Sequence, residues 1–391
     1  MRTGTARDGS PASRGGVRAS VGVDPVRSRT DLRRFIELPY RLYRDDPVWV
    51  PPLRLEQRQR VDPKRNPMLR HCTCELFLAR RAGEAVGRVA AFVDHLAIAH
   101  WQQPIGLFGS YECVDDAGVS AALLGAAREW LRGRGMSTMR GPWSFASQEW
   151  GLVVDGFTPP PVLMAPYNPP FYNAQLLDFG MAKAKDLLAF IADTGAGYRI
   201  PERYITLTDR VQQRYGVRVR SIDMRRLEAE VAIIVDLANR SIAENWGFYP
   251  ATAEEGKAMA RDLRPVVDPE LVMIAEDGQG VPIAFAITLP DLNVLLRGLG
   301  GRLLPFGWLR LLLGRKRLRQ YRMWAIGVVP EYQGRAVDAL LYRRLHEVLT
   351  PRGAVRLEAN YVLEDNAPMI NAMENLGLEE LRRYRVYEMA I

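Results

Sequence analysis

Cysteine and histidine are scarce, with three and four residues in a chain of 391. Cys72, Cys74 and Cys113 are odd in number, and neither they nor His71, His95, His100 and His346 show metal-ligand spacing. A disulfide framework and a zinc module are therefore excluded, a reducing cytosol fits, and no metal is expected. The chain also lacks any run of about eighteen uncharged apolar residues, so no helix should span a bilayer. Residues 1–28 have no apolar core of the signal-peptide kind; rich in Arg, Gly and Ser, they read as a disordered tail.

Acidic residues are missing from one long segment. Between Leu292 and Arg322 stand eight basic residues, Arg297, Arg302, Arg310, Arg315, Lys316, Arg317, Arg319 and Arg322, and no Asp or Glu. The formal net charge of the whole chain is +8, so this one segment matches it. Such local charge argues against a polyanion-coating protein, and no nucleic-acid reading motif is present. The remaining composition, 48% hydrophobic and 25% charged, is that of a globular protein, and the length suggests two domains.

Hydrophobic periodicity divides the chain into two similar series. Asp31–Tyr43 reads as a helix. Glu75–Arg80 and Ala85–Asp94 read as a hairpin around Ala82-Gly83, and Ile105–Cys113 as a strand. Asp115 or Asp116 caps a helix ending near Gly133, followed by strand Ser137–Gly141, a helix to Phe179 and a strand near Lys185–Ala192. The second series runs through strand Val217–Arg220, helix Leu227–Asn245 and a capping box at Thr252 and Glu255. It continues with hairpin Leu271–Glu276 and Pro282–Leu289, strand Arg322–Val329 and helix Val337–Leu349. Val355–Leu363, a helix near Pro368–Leu376 and Arg382–Ala390 complete it. The expected domains are 29–195 and 216–391, joined by a linker helix at 196–215, with a basic apolar insert at 291–321.

One turn carries chemistry. Val328-Val329-Pro330-Glu331-Tyr332-Gln333-Gly334-Arg335-Ala336-Val337-Asp338-Ala339 joins a strand to a helix. Backbone N–H groups at such a turn, with the positive helix end, form a cradle for a diphosphate. This resembles the pyrophosphate motif of the GNAT N-acetyltransferase superfamily, with Gln333 and Gly334 first in the loop. Asn366, eleven residues before Gly377, resembles the Asn and Gly of that superfamily's last conserved helix. Ala336 stands where the family usually has Gly and is acceptable if its backbone keeps a negative φ. Asp338 replaces Gly or Ala; it would repel a diphosphate unless it points off the cradle and complements the helix end. The Tyr that many members use to protonate the leaving thiolate aligns with Met373. The first half reads Glu112-Cys113-Val114-Asp115-Asp116-Ala117-Gly118 at the matching turn, acidic where a cradle should be neutral or basic, and so resembles a degenerate copy.

Taken whole, residues 30–391 resemble a bacterial family of tandem GNAT-like acyltransferases, some of which are similar to ceramide synthases that N-acylate a sphingoid amine. The pieces carrying this are Asp46 to Pro52, Pro166 to Pro170, Asn245 to Phe248 and Leu363 to Asn366. The resemblance implies a mixed α/β fold of two tandem GNAT-like units, acyl-CoA as donor and an amine acceptor, with a lipid amine suggested. It implies cofactor contacts at Ile326, Val328, Gln333, Gly334, Arg335, Ala336, Val337, Asp338 and Ala339. Glu358 and Glu364 are candidate bases, Asn366 a candidate polar group, Tyr384 and Tyr387 candidate phenolic acids. On the residues alone, the glutamates also suit salt bridges, Asn366 a helix cap and the tyrosines core packing. Asn245, Trp246, Tyr167 and Asn168 are candidate substrate-lining residues. Glu358, Asn360 and Val362 are expected on one strand face. The alternatives are a non-catalytic binding protein on this scaffold and an acetyltransferase of a small soluble amine.

The insert bears on the acceptor. Its apolar Leu303 to Leu313 followed by Arg315, Lys316, Arg317 and Arg319 suits an interfacial helix on anionic lipid, so residues 302–322 are a candidate membrane contact. A helical hairpin packed on its own protein is the other reading. The expected location is cytoplasmic, peripheral on the inner face of the membrane.

Overall fold

The computed structural model describes residues 20–145 and 149–391. Residues 1–19, the larger part of the expected tail, lie outside it. Val21–Pro25, expected in that tail, is instead a strand paired antiparallel with Phe77–Arg81. Its Val21 and Val23 pack against the buried apolar side of the sheet.

The N-terminal half contains β1 (Val21–Pro25), α1 (Arg29–Leu42), α2 (Arg54–Arg60), β2 (Cys72–Arg81), β3 (Glu84–Asp94) and α3 (His95–Trp101). It continues with β4 (Ile105–Cys113), α4 (Ala117–Arg132), β5 (Thr138–Gly141), β6 (Leu152–Asp155), α5 (Phe171–Asp178) and β7 (Ala182–Asp193). After α6 (Glu202–Tyr215) come β8 (Arg218–Ser221), α7 (Leu227–Ser241), α8 (Ala253–Leu263), β9 (Val272–Glu276) and β10 (Pro282–Pro290). The chain ends with α9 (Asn293–Leu296), α10 (Gly307–Gly314), β11 (Gln320–Val328), α11 (Val337–Leu349), β12 (Arg356–Leu363), α12 (Ala367–Asn375) and β13 (Glu379–Ala390). Local chemistry sets these boundaries. Asp116 accepts the Gly118 and Val119 N–H groups to start α4, Thr252 and Glu255 form the capping box of α8, and Ala82 and Gly83 turn the β2–β3 hairpin at positive φ.

The described strands form one mixed sheet in the order β1-β2-β3-β4-β5-β13-β7-β12-β11-β10-β9-β8, with β6 also on β13. The halves exchange their last strands. β7 leaves the N-terminal series to pair with β12, and β13 crosses back to pair with β5, β6 and β7. Asp186 on β7 accepts from Arg385 Nε and Nη2 on β13, at 2.7 and 2.9 Å, inside this junction. Either half alone would thus lack a central strand.

Helices α4, α11 and α12 bury apolar stripes against the sheet: Leu123, Leu124, Ala127 and Leu131 from α4, Leu341 and Leu345 from α11, and Met373 from α12. Met373 is fully buried in that core. On β12 the expected shared face fails. Glu358 and Asn360 are buried polar residues, but a register irregularity between Ala359 and Val362 turns Val362 into the α11 core. Tyr361 joins the opposite core in its place. Cys72 is half-buried, Cys113 buried and Cys74 exposed.

Candidate active site

β11 and β12 lie parallel and pair only from Gln320–Met323 to Arg356–Ala359. Beyond that point they part. Where β11 meets β10 the register slips between Ile287 and Thr288, leaving Trp324 as the extra residue of a bulge. The next consequence is visible in burial: Tyr321–Met323 are buried, whereas Trp324–Val328 are all half-buried in the middle of a wide sheet. The edge of β11 facing β12 is therefore an open notch with backbone groups free for a ligand. Ile326 and Val328 pack their side chains toward the core.

The notch runs into the turn before α11. Gln333 donates from Nε2 to the Val328 carbonyl at 3.0 Å, closing the turn on the strand. Gly334 has φ 72° with open space around it. Ala336 caps α11 at φ 58°, so the expectation of a negative φ fails. A side chain in this left-handed region costs roughly 1–2 kcal/mol. Arg335 is exposed over the rings of Tyr332 and Tyr215, at 5.0 and 5.5 Å. The Asp338 carboxyl is pushed up by burial beside Tyr204 and Tyr342, while the N–H groups of Asp338 and Ala339 oppose that shift. It thus complements the helix end and faces α6 and its own helix core.

The N-terminal copy differs at both places. β4 and β5 also part after Leu107 and Arg140, but Trp143 fills the gap, its N–H donating to the Phe108 carbonyl at 2.8 Å. A Cβ on Gly109 would stand 1.8 Å from the Trp143 carbonyl oxygen, so the fit leaves no room. The end of α4 is already occupied by Asp116, which also holds Arg81 at 2.9 Å.

Where β11 and β12 part, a buried polar cluster forms. Arg322 is fully buried, donating from Nε to Asn360 Oδ1 at 2.6 Å and from Nη1 to the Leu163 carbonyl at 2.7 Å. Asn360 Nδ2 donates to Glu358 Oε1 at 2.8 Å. Arg382 donates to the Gly156 carbonyl at 2.7 Å and reaches the Tyr384 hydroxyl at 3.4 Å. Asp291 accepts from the Leu163 and Asn293 N–H groups at 2.8 and 3.1 Å. Burial raises the Glu358 carboxyl against the pull of Arg382 and Arg322, and raises Asp291 to about 6, with the Glu358 charge adding to it. Both carboxylates line a cavity of about 170 Å³ with Pro161, Arg297, Tyr321 and Arg356. At Val50, Pro161 and Asn293 it adjoins a cleft of about 210 Å³. That cleft is walled by Tyr40, Trp49, Phe145, Leu163, Tyr167 and Leu296. On its far wall Glu112 accepts from Tyr43 and Tyr172.

The sequence candidates are not all in one place. Glu358 and Tyr384 belong to the cluster, with the Tyr384 phenol pushed up to about 12 by burial. Glu364 is held by Lys183 at 2.5 Å and by the Asp186 N–H at 3.0 Å, a salt bridge across the strand exchange. Asn366 caps α12, accepting from Met369 N at 3.1 Å. Tyr387 donates to Asn173 within the core. Tyr167 lines the larger cleft. Asn168 is buried away from it, clamping Val153 through its amide at 2.6 Å. Trp246 packs between Trp143 at 6.2 Å and Arg140 at 4.9 Å, and Asn245 opens the turn that holds it. His71 bridges the halves, with Asp94 at 2.9 Å on one ring nitrogen and Glu255 at 3.1 Å on the other. With both nitrogens engaged by carboxylates, it is raised to about 12 and acts as a cation in a clamp. Asp291, Arg322 and Arg382 were missed; the available signal was an arginine between apolar neighbours, as in Tyr321-Arg322-Met323.

No family model matches the chain. It is 36% identical over 371 residues to Protein YghO of Escherichia coli (strain K12), covering 93% of this chain and 94% of that protein. It is 36% identical over 385 residues to a bacterial ceramide synthase of Caulobacter vibrioides (strain NA1000 / CB15N), covering 95% and 98%. Among solved structures it is similar to a tandem GNAT protein from the clavulanic acid biosynthesis pathway, with a TM-score of 0.56, 15% identity and coverage of 95% and 98%. That likeness carries the fold, a tandem GNAT arrangement.

Proposed function

Because the chain belongs to the tandem GNAT-like acyltransferase family that includes the Caulobacter ceramide synthase and Escherichia coli YghO, we propose that it moves an acyl group from acyl-CoA to a lipid amine. The observation carrying this reading is the open notch of the C-terminal half beyond Met323 and Ala359, while the N-terminal notch is filled by Trp143.

Backbone N–H groups from Gly334 to Val337, with the Arg335 side chain beside them, would take the donor's diphosphate. Its pantetheine would pair with the free edge of β11 along Ile326 and Val328. A backbone N–H at the Trp324 bulge would serve the developing oxyanion. The acceptor arrives as an ammonium near neutral pH. Glu358, with Asp291 behind it, would take the first proton, freeing the nitrogen lone pair to attack the thioester carbon. As the C–S bond breaks, the second amine proton passes to the thiolate, with the protonated Tyr384 as its relay. Glu364 and Asn366 support the wall of the site through their salt bridge and cap.

Two features support a lipid amine over a small soluble one. A relative carries the name ceramide synthase, and the cleft beside the cluster has Tyr40, Trp49, Phe145, Leu163, Tyr167 and Leu296 in a wall that also carries polar groups. Among the described residues no helix is long and apolar enough to cross a membrane, and we read the protein as cytoplasmic and peripheral on the inner membrane face. A non-catalytic binding role is the competing reading, favoured by the strained Ala336 and by the buried Met373 where many members have a Tyr. The test is thiol release and amide formation from acetyl-CoA and long-chain acyl-CoAs, with a sphingoid amine or a small amine. Amide from the long-chain pair supports the proposal. Binding of acyl-CoA with no thiol release from any pair would favour the binding protein.

A further inference from the structure

The insert has two apolar sides, and only one is used. Inward, Leu292, Leu296 and Leu318 are buried with Val50, joined by Leu295, Leu299 and Leu311, which fixes the insert to the body. Outward, Leu304 and Phe306 are 79% and 74% exposed, and Trp308, Leu312 and Leu313 are 51%, 51% and 65% exposed. Among the described residues, six of the thirteen large exposed apolar side chains lie from Leu304 to Leu313, so this is a patch and not scatter.

The charges around it are also unspent. Arg302, Arg310, Arg315, Lys316, Arg317 and Arg319 are exposed, and among the described residues none has a carboxylate within ion-pair distance. Arg315 donates to the Pro265 carbonyl at 2.8 Å and Arg319 to the Leu318 carbonyl at 2.9 Å, neither of which neutralises charge. Elsewhere arginines on this protein find acids, as Arg60 does with Glu149 and Arg385 with Asp186. An apolar patch bordered by uncompensated cations matches one partner, a surface that is greasy inside and anionic outside. The same insert walls the site: Val294 and Arg297 line the smaller cavity, Leu296 the larger cleft and Asn293 both.

We propose that the α9–α10 insertion docks on an anionic bilayer. Phe306, Trp308 and Leu313, with Leu304 and Leu312, enter the acyl boundary, and Arg315, Lys316 and Arg317 meet the headgroup phosphates. Docking holds the cavity lined by Asn293 and Arg297 against the lipid from which the acceptor enters. This last step rests on the lipid-amine reading; the docking itself does not.

Flotation of the full chain with vesicles, without any acyl-CoA, separates the two. The protein should float with phosphatidylcholine vesicles containing phosphatidylglycerol, and lose recovery as salt is raised. Each basic residue near an anionic surface contributes about fivefold in partitioning, so R315Q/K316Q/R317Q should weaken it about a hundredfold. F306S/W308S/L313S should abolish flotation at every salt concentration. All six positions are exposed, so circular dichroism and melting should match the wild type. Equal recovery of wild type and both variants would overturn the proposal. So would a wild type that stays unbound but sediments as a dimer dispersed by F306S/W308S/L313S, because the patch would then face a second copy. Acyl transfer to a detergent-dispersed amine reads the function independently.

Discussion

Replacing Asp291 with Asn tests the electrostatics of the cluster through stability. In the folded chain burial raises this carboxyl from 3.8 to about 6. The native state therefore holds its proton longer than the unfolded chain, and wild-type stability falls as pH rises through that interval. The penalty is absent below about pH 3.8 and fully present above about pH 6. A shift of roughly two units corresponds to about 3 kcal/mol at most. Asn keeps an oxygen to accept the Leu163 and Asn293 N–H groups, so the geometry survives while the charge is lost. With an unfolding entropy near 2.1 cal/mol/K per residue, D291N should melt up to about 4 °C higher at pH 8. Thermal melts of both proteins from pH 4 to pH 8 measure this. The difference should shrink towards zero at the acid end. A D291N protein less stable than wild type at pH 8, or a difference independent of pH, would refute the assignment of a disfavoured buried charge.

Three other outcomes follow from named contacts. Glu358→Gln keeps the bond from Asn360 but cannot take a proton, so kcat should fall about 10²–10⁴-fold with unchanged acyl-CoA affinity and no loss of melting temperature; a fall in melting temperature with normal kcat would make Glu358 structural. Ala336→Gly should remove roughly 1–2 kcal/mol of strain at φ 58° and raise the melting temperature, whereas a fall in melting temperature would show that the alanine methyl makes a needed contact. Cutting the chain before Glu202 should yield halves that fold only when co-expressed, since β7 and β13 are exchanged; cooperative melting by either half alone would contradict the exchange.

Much of the fold was legible because its signals are local. Alternation marked Ile105–Cys113, helical spacing marked Val337–Leu349, and both match the structure to the residue. The exchange of β7 and β13 was not legible, because an apolar alternating strand does not say which neighbour it will take. β1 was missed as a short edge strand following a low-complexity segment. Within the site, the cradle from Gln333 to Ala339 was readable as a turn with an unusual residue pattern. The cluster was not, because Asp291, Arg322 and Arg382 look like surface charges until the segment from Gly156 to Leu163 folds across them. Glu364 and Asn366 fell where their chemistry is ordinary, a salt bridge and a helix cap. The +8 is largely the charge of one insert whose inner side builds the cleft and whose outer side is bare.

The central claim, that the C-terminal notch receives the acyl donor, is tested most directly by a crystal structure with a non-hydrolysable thioether analogue of a long-chain acyl-CoA. The account predicts the diphosphate on the N–H groups from Gly334 to Val337, pantetheine along Trp324–Val328, and the sulfur facing Glu358. An analogue seated instead in the N-terminal cleft beside Glu112, with the β11–β12 notch empty at saturation, would contradict it.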